Sequence, residues 1–253
     1  MDATRIALHD LSANLVVPKD RLAVALDFPS AAEALDLVDR LEGACRWLKV
    51  GMELYYAAGN GLVEALREQG YSVFLDLKLH DIPNTVAGAV QSVTRAGAGL
   101  LTVHAGGGTA MMRAAAEAAN VPGGPKLLAV TVLTSLDAAE LAGVGVAASP
   151  GNQVLLLARL AKAAGIDGMV CSAGEVEALR KVMGPETMLV VPGIRPVGSD
   201  VGDQRRVATP EAAIARGASM LVVGRPITKA IDPGAAARAI LEEIGRAPIV
   251  ARG

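Results

Sequence analysis

Eight short runs of strand-forming apolar residues recur along the chain, each separated from the next by a longer Ala- and Leu-rich segment. No other feature narrows the fold as much. The runs are Leu22–Asp27, Arg46–Val50, Ser72–Lys78, Leu100–His104, Lys126–Leu133, Asp167–Ser172, Thr187–Pro192 and Ser219–Gly224. They are continuously apolar, not alternating, which is the pattern of parallel strands covered on both faces. Parallel neighbours need long crossovers, and the intervening segments read as helices. In Ser30–Glu42, Ser30 stands as an N-cap with Glu33 three residues on, the spacing of a capping box. Gly70, Gly97, Gly165 and Gly217 each fall just before a strand, where a helix-ending glycine belongs. The 253 residues match the length of one barrel, roughly 250 residues. The expected fold is therefore α/β: a single (β/α)8 TIM barrel over residues 21–253, with residues 1–20 as a short N-terminal extension. A doubly wound open sheet is the alternative.

Composition removes several classes of function. Hydrophobic residues make up 52% and charged residues 20%, enough for a full core and too apolar for disorder. Lys and Arg number 24 against 26 Asp and Glu, a formal charge of -2, which disfavours a nucleic-acid groove. Aromatics, at 2%, are too few to stack single-stranded bases. Cys45 and Cys171 are the only cysteines, and His9, His80 and His104 form no metal-binding spacing, so neither a disulfide framework nor a metal site is expected. Residues 1–20 lack a basic start followed by an apolar run, and no apolar stretch approaches the roughly 18 residues of a membrane span. A cytoplasmic protein of a reducing compartment is expected, with no membrane or nucleic-acid partner.

Two connections exceed the roughly 2–6 residues of ordinary βα loops: residues 134–152 and 193–209. Both follow strands and so lie on the C-terminal rim, where barrels carry their chemistry. Each is either a lid or a surface insertion. Arg195, Gln204, Arg205 and Arg206 in the second favour contact with a ligand.

The third run, VFLDLKLHD, is the most informative. Asp76 and Lys78 are two apart and so share one strand face, while Leu75, Leu77 and Leu79 face the helices. Asp81 follows just past the strand. A structural ion pair is one explanation, but Asp27 and Lys49 close their own strands at the same rim. The four make an alternating array of fixed charge. A lysine between carboxylates stays protonated, which suits proton donation or stabilisation of a carbanion and does not suit a Schiff base. The sequence contains no serine nucleophile elbow, no Cys/His pair and no dinucleotide-binding glycine fingerprint after the first run. The glycines 106–108 read as a tight turn. At the other end of the chain, Gly224-Arg225-Pro226 closes the eighth run, at the place where barrels often bind phosphate, with Arg195 after the seventh.

The segment DLKLHDIPNTV, Asp76–Val86, resembles the signature of the orotidine 5′-phosphate decarboxylase family. The resemblance runs from Arg21 to about Gly245. It takes in ALD at 25–27, KVGMEL at 49–54, VHAGGG at 103–108, TVLTS at 131–135, VVPGIRP at 190–196, DQRRVATP at 203–210 and VVGRPIT at 222–228. It implies decarboxylation of orotidine 5′-phosphate to UMP, with Lys78 as proton donor to C6 and Asp76 against the departing carboxylate. Lys49 joins the charged network, and Asp81 enters the site of the neighbouring subunit of a homodimer. Asp27, Lys49 and Thr85 belong with the ribose, Thr134 and Ser135 with the pyrimidine, and Arg195, Gln204, Gly224 and Arg225 with the phosphate and lid. Ile82 and Pro192 complete the implied substrate-binding set. The family uses no metal or organic cofactor. Two other readings are kept: a Mg2+-dependent sugar-phosphate decarboxylase or aldolase of the same barrel group, and a non-catalytic nucleotide sensor.

Overall fold

The structure is a computed structural model that describes residues 17–196 and 208–248. The eight runs become β1 (Leu22–Leu26), β2 (Trp47–Gly51), β3 (Ser72–Leu79), β4 (Leu100–His104), β5 (Lys126–Val130), β6 (Gly168–Val170), β7 (Met188–Val191) and β8 (Met220–Val223). Every neighbouring pair is parallel, and β1 pairs with β8, so the sheet closes on itself in chain order. The open-sheet alternative is thereby excluded. The connecting helices are α1 (Ala31–Leu41), α2 (Met52–Glu68), α3 (Pro83–Ala96), α4 (Gly108–Ala119), α5 (Ala138–Gly143), α6 (Pro150–Ala163), α7 (Val176–Met183), α8 (Pro210–Ala215), α9 (Arg225–Thr228) and α10 (Pro233–Arg246). Among the described residues no helix is long and apolar enough to cross a membrane.

Local signals in the chain explain the element ends. Ser30 Oγ accepts from Glu33 N at 3.3 Å, as an N-cap should, but its hydroxyl donates to Glu33 Oε1 at 2.9 Å in place of the reciprocal half of a capping box. Gly70, Gly97, Gly165 and Gly217 all have positive φ, 88°, 79°, 86° and 103°, which a residue without Cβ reaches at little cost. β5 stops at Val130, three residues before the end of its apolar run. There its partner Val170 is the last residue of β6, so further ladder bonds are lost. The 134–152 connection is partly helical. Asp137 caps α5 and Glu140 returns to the Asp137 N–H, a complete capping box.

Strand alternation sorts the core into two shells. Trp47, Phe74, Leu100, Leu128 and Met220 point into the barrel and fill it, so it is packed and not a pore. Leu48, Leu75, Leu101 and Val103 point outward beneath the helices. Leu77 belongs to the outer shell and Leu79 packs against it, as expected for the face of β3 opposite Asp76 and Lys78.

The end of the barrel opposite the rim is fastened by Arg180 on α7. Its Nη1 donates to the carbonyls of Gly184, Pro185 and Thr187 at 3.0, 2.8 and 2.7 Å. Its Nη2 donates to Gly217 O at 2.7 Å and Ser219 Oγ at 3.2 Å. One planar cation thus joins α7 to the chain entering β7 and β8, a geometry that lysine cannot copy. Arg180→Ala is expected to cost on the order of 3 kcal/mol, because several acceptors lose a charged donor together. At about 2–4 °C per kcal/mol for a chain of this length, the melting midpoint falls by roughly 6–12 °C. Activity per folded molecule stays unchanged, since the clamp lies away from the rim. Thermal melts that superimpose would show that Arg180 fastens nothing.

Candidate active site

Four charges meet on the C-terminal rim because consecutive strands deliver them in register. Gly51 of β2 pairs with Asp76 of β3, and Lys49 pairs with Phe74, so the Lys49 stem runs up beside Asp76. Lys49 Nζ donates to Asp27 Oδ1 at 3.1 Å and lies 3.8 Å from Asp76 Oδ2. Lys78 Nζ donates to Asp76 Oδ1 at 2.7 Å. The row therefore reads Asp27, Lys49, Asp76, Lys78, each charge beside an opposite one. Lys49 is nearly buried, Asp76 and Lys78 are partly covered, and Asp27 is open. Charges held at this depth survive because each has a partner; an isolated one would cost several kcal/mol. The Lys78–Asp76 ion pair sits at the mouth of an apolar barrel, where an opposing charge is screened less than in water.

Glycines make the room. A Cβ on Gly51 would stand 3.3 Å from Lys49 Nζ and 3.7 Å from Asp27 Oδ1. A Cβ on Gly224 would stand 3.6 Å from Asp27 Oδ2, so the end of β8 reaches the same group of charges.

β3 is not a regular strand where the charges sit. It pairs with β4 at Leu75↔Leu101 and again at Leu79↔Val103, four residue steps against two. The surplus is absorbed around Lys78, whose φ is +50°, a left-handed conformation costing an L-residue about 1–2 kcal/mol. Thr102 of β4 holds this bulge, its Oγ1 accepting the Lys78 N–H at 2.8 Å and donating to Asp76 Oδ1 at 3.1 Å.

His80 and His104 follow on the same two strands and stack, with ring centroids 5.3 Å apart and planes 13° from parallel. His104 Nδ1 accepts the Gly106 N–H at 3.2 Å. Burial first, then the facing His80 and the Lys78 charge, hold His104 below the usual imidazole range, so it is neutral near pH 7. The Ala105–Gly107 stretch is a short 3-10 turn leading into α4, as the turn reading of the glycines requires.

The other expected site residues stand on this rim without joining the row of charges. Asp81 and Ile82 are exposed in the turn before α3, and Asp81 Oδ1 accepts the Ile82 N–H at 2.6 Å. Thr85 lies in the first turn of α3. Thr134 and Ser135 occupy the corner of a turn closed by Leu136 N to Leu133 O at 3.0 Å. Pro192 directly follows β7. Arg195 is buried; it donates to Ile194 O at 2.9 Å, and its own N–H meets Ala208 O at 2.9 Å. Gly224 caps α9, whose first residue is the exposed Arg225. Gln204, Arg205 and Arg206 lie outside the described residues, as do residues 1–16 of the expected extension.

Thr102 and His104 are not among the residues expected from sequence. The signal was present: in LLTVH, with Leu100 facing inward, period two turns Thr102 and His104 to the same face. Burial raises both thiols, that of Cys45 to about 12, so neither is a nucleophile at neutral pH. Among the described residues, no group of three or more His, Cys, Asp or Glu is arranged to hold a metal ion. A row of fixed lysine and aspartate charges is suited to stabilising negative charge and delivering a proton.

Residues 20–240 match the model of the orotidine 5′-phosphate decarboxylase / HUMPS family. The chain is 53% identical over 227 residues to the orotidine 5′-phosphate decarboxylase of Nitrosococcus oceani, spanning 89% of this chain and 98% of that one. It is 52% identical over 234 residues to the protein of the same name from Moorella thermoacetica, spanning 89% and 92%. The crystal structure of orotidine 5′-phosphate decarboxylase from Lactobacillus acidophilus superimposes with a TM-score of 0.80 at 41% identity, covering 88% of this chain and 98% of that one.

Proposed function

Because the chain belongs to the orotidine 5′-phosphate decarboxylase / HUMPS family, we infer that it converts orotidine 5′-phosphate to UMP and CO2. It is a carboxy-lyase of pyrimidine biosynthesis. The family name spans more than one activity, whereas the relatives at 52% and 53% identity bear a single one. The observation that carries the reading is the row Asp27, Lys49, Asp76, Lys78, with its ammonium 2.7 Å from a carboxylate.

Breaking the bond between C6 and the carboxylate leaves an electron pair on C6, in the ring plane, where no conjugation can spread it. A fixed ammonium answers that charge more strongly as it develops than in the ground state, which is the condition for lowering a barrier. In the proposed step CO2 departs, the electron pair on C6 takes a proton from Lys78 Nζ, and the neutral amine regains its proton from solvent. Asp76 pairs with Lys78 before the step and lies against the substrate carboxylate, so loss of neutral CO2 relieves the repulsion between two like charges. Lys49 and Asp27, with Thr85, bind the ribose. Thr134 and Ser135 meet the pyrimidine, with Ile82 and Pro192 lining it. Arg195, Gln204, Arg225 and the Gly224 backbone bind the phosphate. Binding energy from that remote phosphate serves to hold the substrate against the charges. The protein works as a cytoplasmic homodimer in which Asp81 reaches the partner's site.

Turnover is read directly from the fall in ultraviolet absorbance as orotidine 5′-phosphate loses its carboxylate. Full activity in excess chelator is expected. Activity that disappears with chelator and returns with Mg2+ would favour the metal-dependent reading, and tight binding without turnover would favour the sensor.

Arg225→Ala tests the phosphate assignment. A charged hydrogen bond to phosphate is worth about 1.5–3 kcal/mol, so kcat/KM for orotidine 5′-phosphate should fall roughly 10- to 100-fold. Turnover of orotidine lacking the phosphate should change little. Equal losses for both substrates would make Arg225 structural.

A further inference from the structure

The inward face of β4 carries, in order, Leu100, Thr102 and His104. Leu100 belongs to the apolar filling of the barrel; Thr102 is the next residue up that face and is fully buried. A hydroxyl has one proton to give and lone pairs to accept with, and Thr102 uses both functions on β3. The backbone N–H of Lys78 can only donate, so Oγ1 accepts there, at 2.8 Å. An ionised Asp76 can only accept, so the hydroxyl proton points to Oδ1, at 3.1 Å. The same Oδ1 receives Lys78 Nζ at 2.7 Å. One side chain therefore grips both ends of the Asp76–Lys78 pair, the carboxylate of one and the backbone of the other.

The grip falls where the β3–β4 ladder is interrupted. Between Leu75 and Leu79 the two strands are out of step by two residues, and Lys78 takes the left-handed φ of +50°. A side-chain oxygen from β4 takes the Lys78 N–H there. Left-handed conformations in residues other than glycine persist only where the surroundings over-determine them, and they gather at functional sites. Thr102 supplies that determination. Its β-branched side chain has few rotamers on a strand, so the hydroxyl is already aimed before any substrate arrives.

We propose that Thr102 is a positioning residue of this site: its hydroxyl holds the bulge at Lys78 and sets the ammonium against the Asp76 carboxylate at the geometry the reaction uses. This rests on the reading of Lys78 and Asp76 as the reacting pair. Its hydrogen bonds go to the Lys78 N–H and the Asp76 carboxylate, and its effect passes through those two residues.

Thr102→Val keeps the shape and removes both hydrogen bonds, while Thr102→Ser restores the hydroxyl. A misplacement of about 1 Å costs roughly 100-fold in rate, so the valine variant should lose about 30- to 100-fold in kcat. Its affinity for UMP, measured by calorimetry, should stay within about threefold, because the phosphate, ribose and pyrimidine contacts are intact. Serine should recover to within about fivefold of wild-type kcat, the remainder reflecting its freer rotamers. Amide exchange of Lys78 is the second readout. Its N–H loses its acceptor in the valine variant and should exchange at least about tenfold faster, while the amides of β1 and β8 are unchanged.

If the valine variant does not fold, Thr102→Ala carries the same comparison with serine. Unaltered kcat per folded molecule in the valine variant, or serine as impaired as valine, would overturn the proposal. So would unaltered exchange at Lys78. Failure of the wild type to turn over orotidine 5′-phosphate would overturn the reading of the activity instead, and the exchange measurement would still decide what Thr102 holds.

Discussion

Lys78→Ala is expected to lower turnover of orotidine 5′-phosphate by more than about 10⁴-fold while leaving the protein folded and able to bind UMP. Two losses combine: a fixed charge facing the developing carbanion, worth roughly 10²–10³, and a proton donor, worth roughly 10²–10⁴. The fold should survive because Asp76 is not stranded by the change. Its Oδ1 still receives the Thr102 hydroxyl at 3.1 Å, and Lys49 stands 3.8 Å from Oδ2. Alanine can also occupy the left-handed position at a cost like that of lysine, so the bulge is not newly strained. UMP titrations by calorimetry and a thermal melt check both halves. Retention of even about a tenth of wild-type turnover would remove Lys78 from the role of proton donor, since such a donor contributes at least about 100-fold.

Mixing Lys78→Ala chains with Asp81→Ala chains, each inactive alone, is expected to restore activity. Asp81 is exposed in the turn before α3 and its carboxylate is engaged only locally, by the Ile82 N–H, among the bonds seen here. Next to it Ile82 is 67% exposed, and Met52, which opens the preceding helix on the same rim, is 44% exposed. Apolar side chains offered to solvent beside a working site suit a subunit contact. A twofold contact would be self-complementary, so each turn would complete the other subunit's site. In a mixed dimer one site then carries both lesions and the other neither. With free reassortment about half the dimers are mixed and half of their sites intact, so recovery should approach roughly a quarter of wild type. Activity that stays at the level of the separate variants, with exchange demonstrated by native mass spectrometry, would show that Asp81 serves its own barrel.

The barrel was legible because parallel strands buried on both faces leave continuous apolar runs, and because glycines such as Gly97 and Gly217 mark where helices stop. The placing of Asp76 with Lys78, opposite Leu75 and Leu77, followed from period two alone. How the chain achieves it did not. The bulge at Lys78 is a mismatch between β3 and β4, two strands more than twenty residues apart in sequence, and no local pattern in VFLDLKLHD announces it. The role of Thr102 was hidden for the same reason, since a strand's sequence tells which residues share a face but not what faces them. Arg180 likewise reads as an ordinary helix arginine until α7, β7 and β8 converge on it. The helix α5 is a different case. The Asp137 and Glu140 spacing of its capping box was in plain view, inside a segment whose length argued for a loop.

The charge row should also work in reverse on the product, and that is where the role of Lys78 is tested most directly. If Lys78 delivers a proton to C6 and stabilises the carbanion, its neutral amine must take the C6 proton of UMP in the reverse step, and the ammonium so formed faces the carbanion, since forward and reverse steps share one path. UMP incubated with the enzyme in D2O and followed by proton NMR should exchange its C6 hydrogen for deuterium, faster than UMP in buffer. The Lys78→Ala protein, binding UMP equally well, should bring the exchange back to the buffer rate. Equal exchange with the two proteins, or none above buffer with the wild type, would contradict a C6 carbanion stabilised and protonated by Lys78.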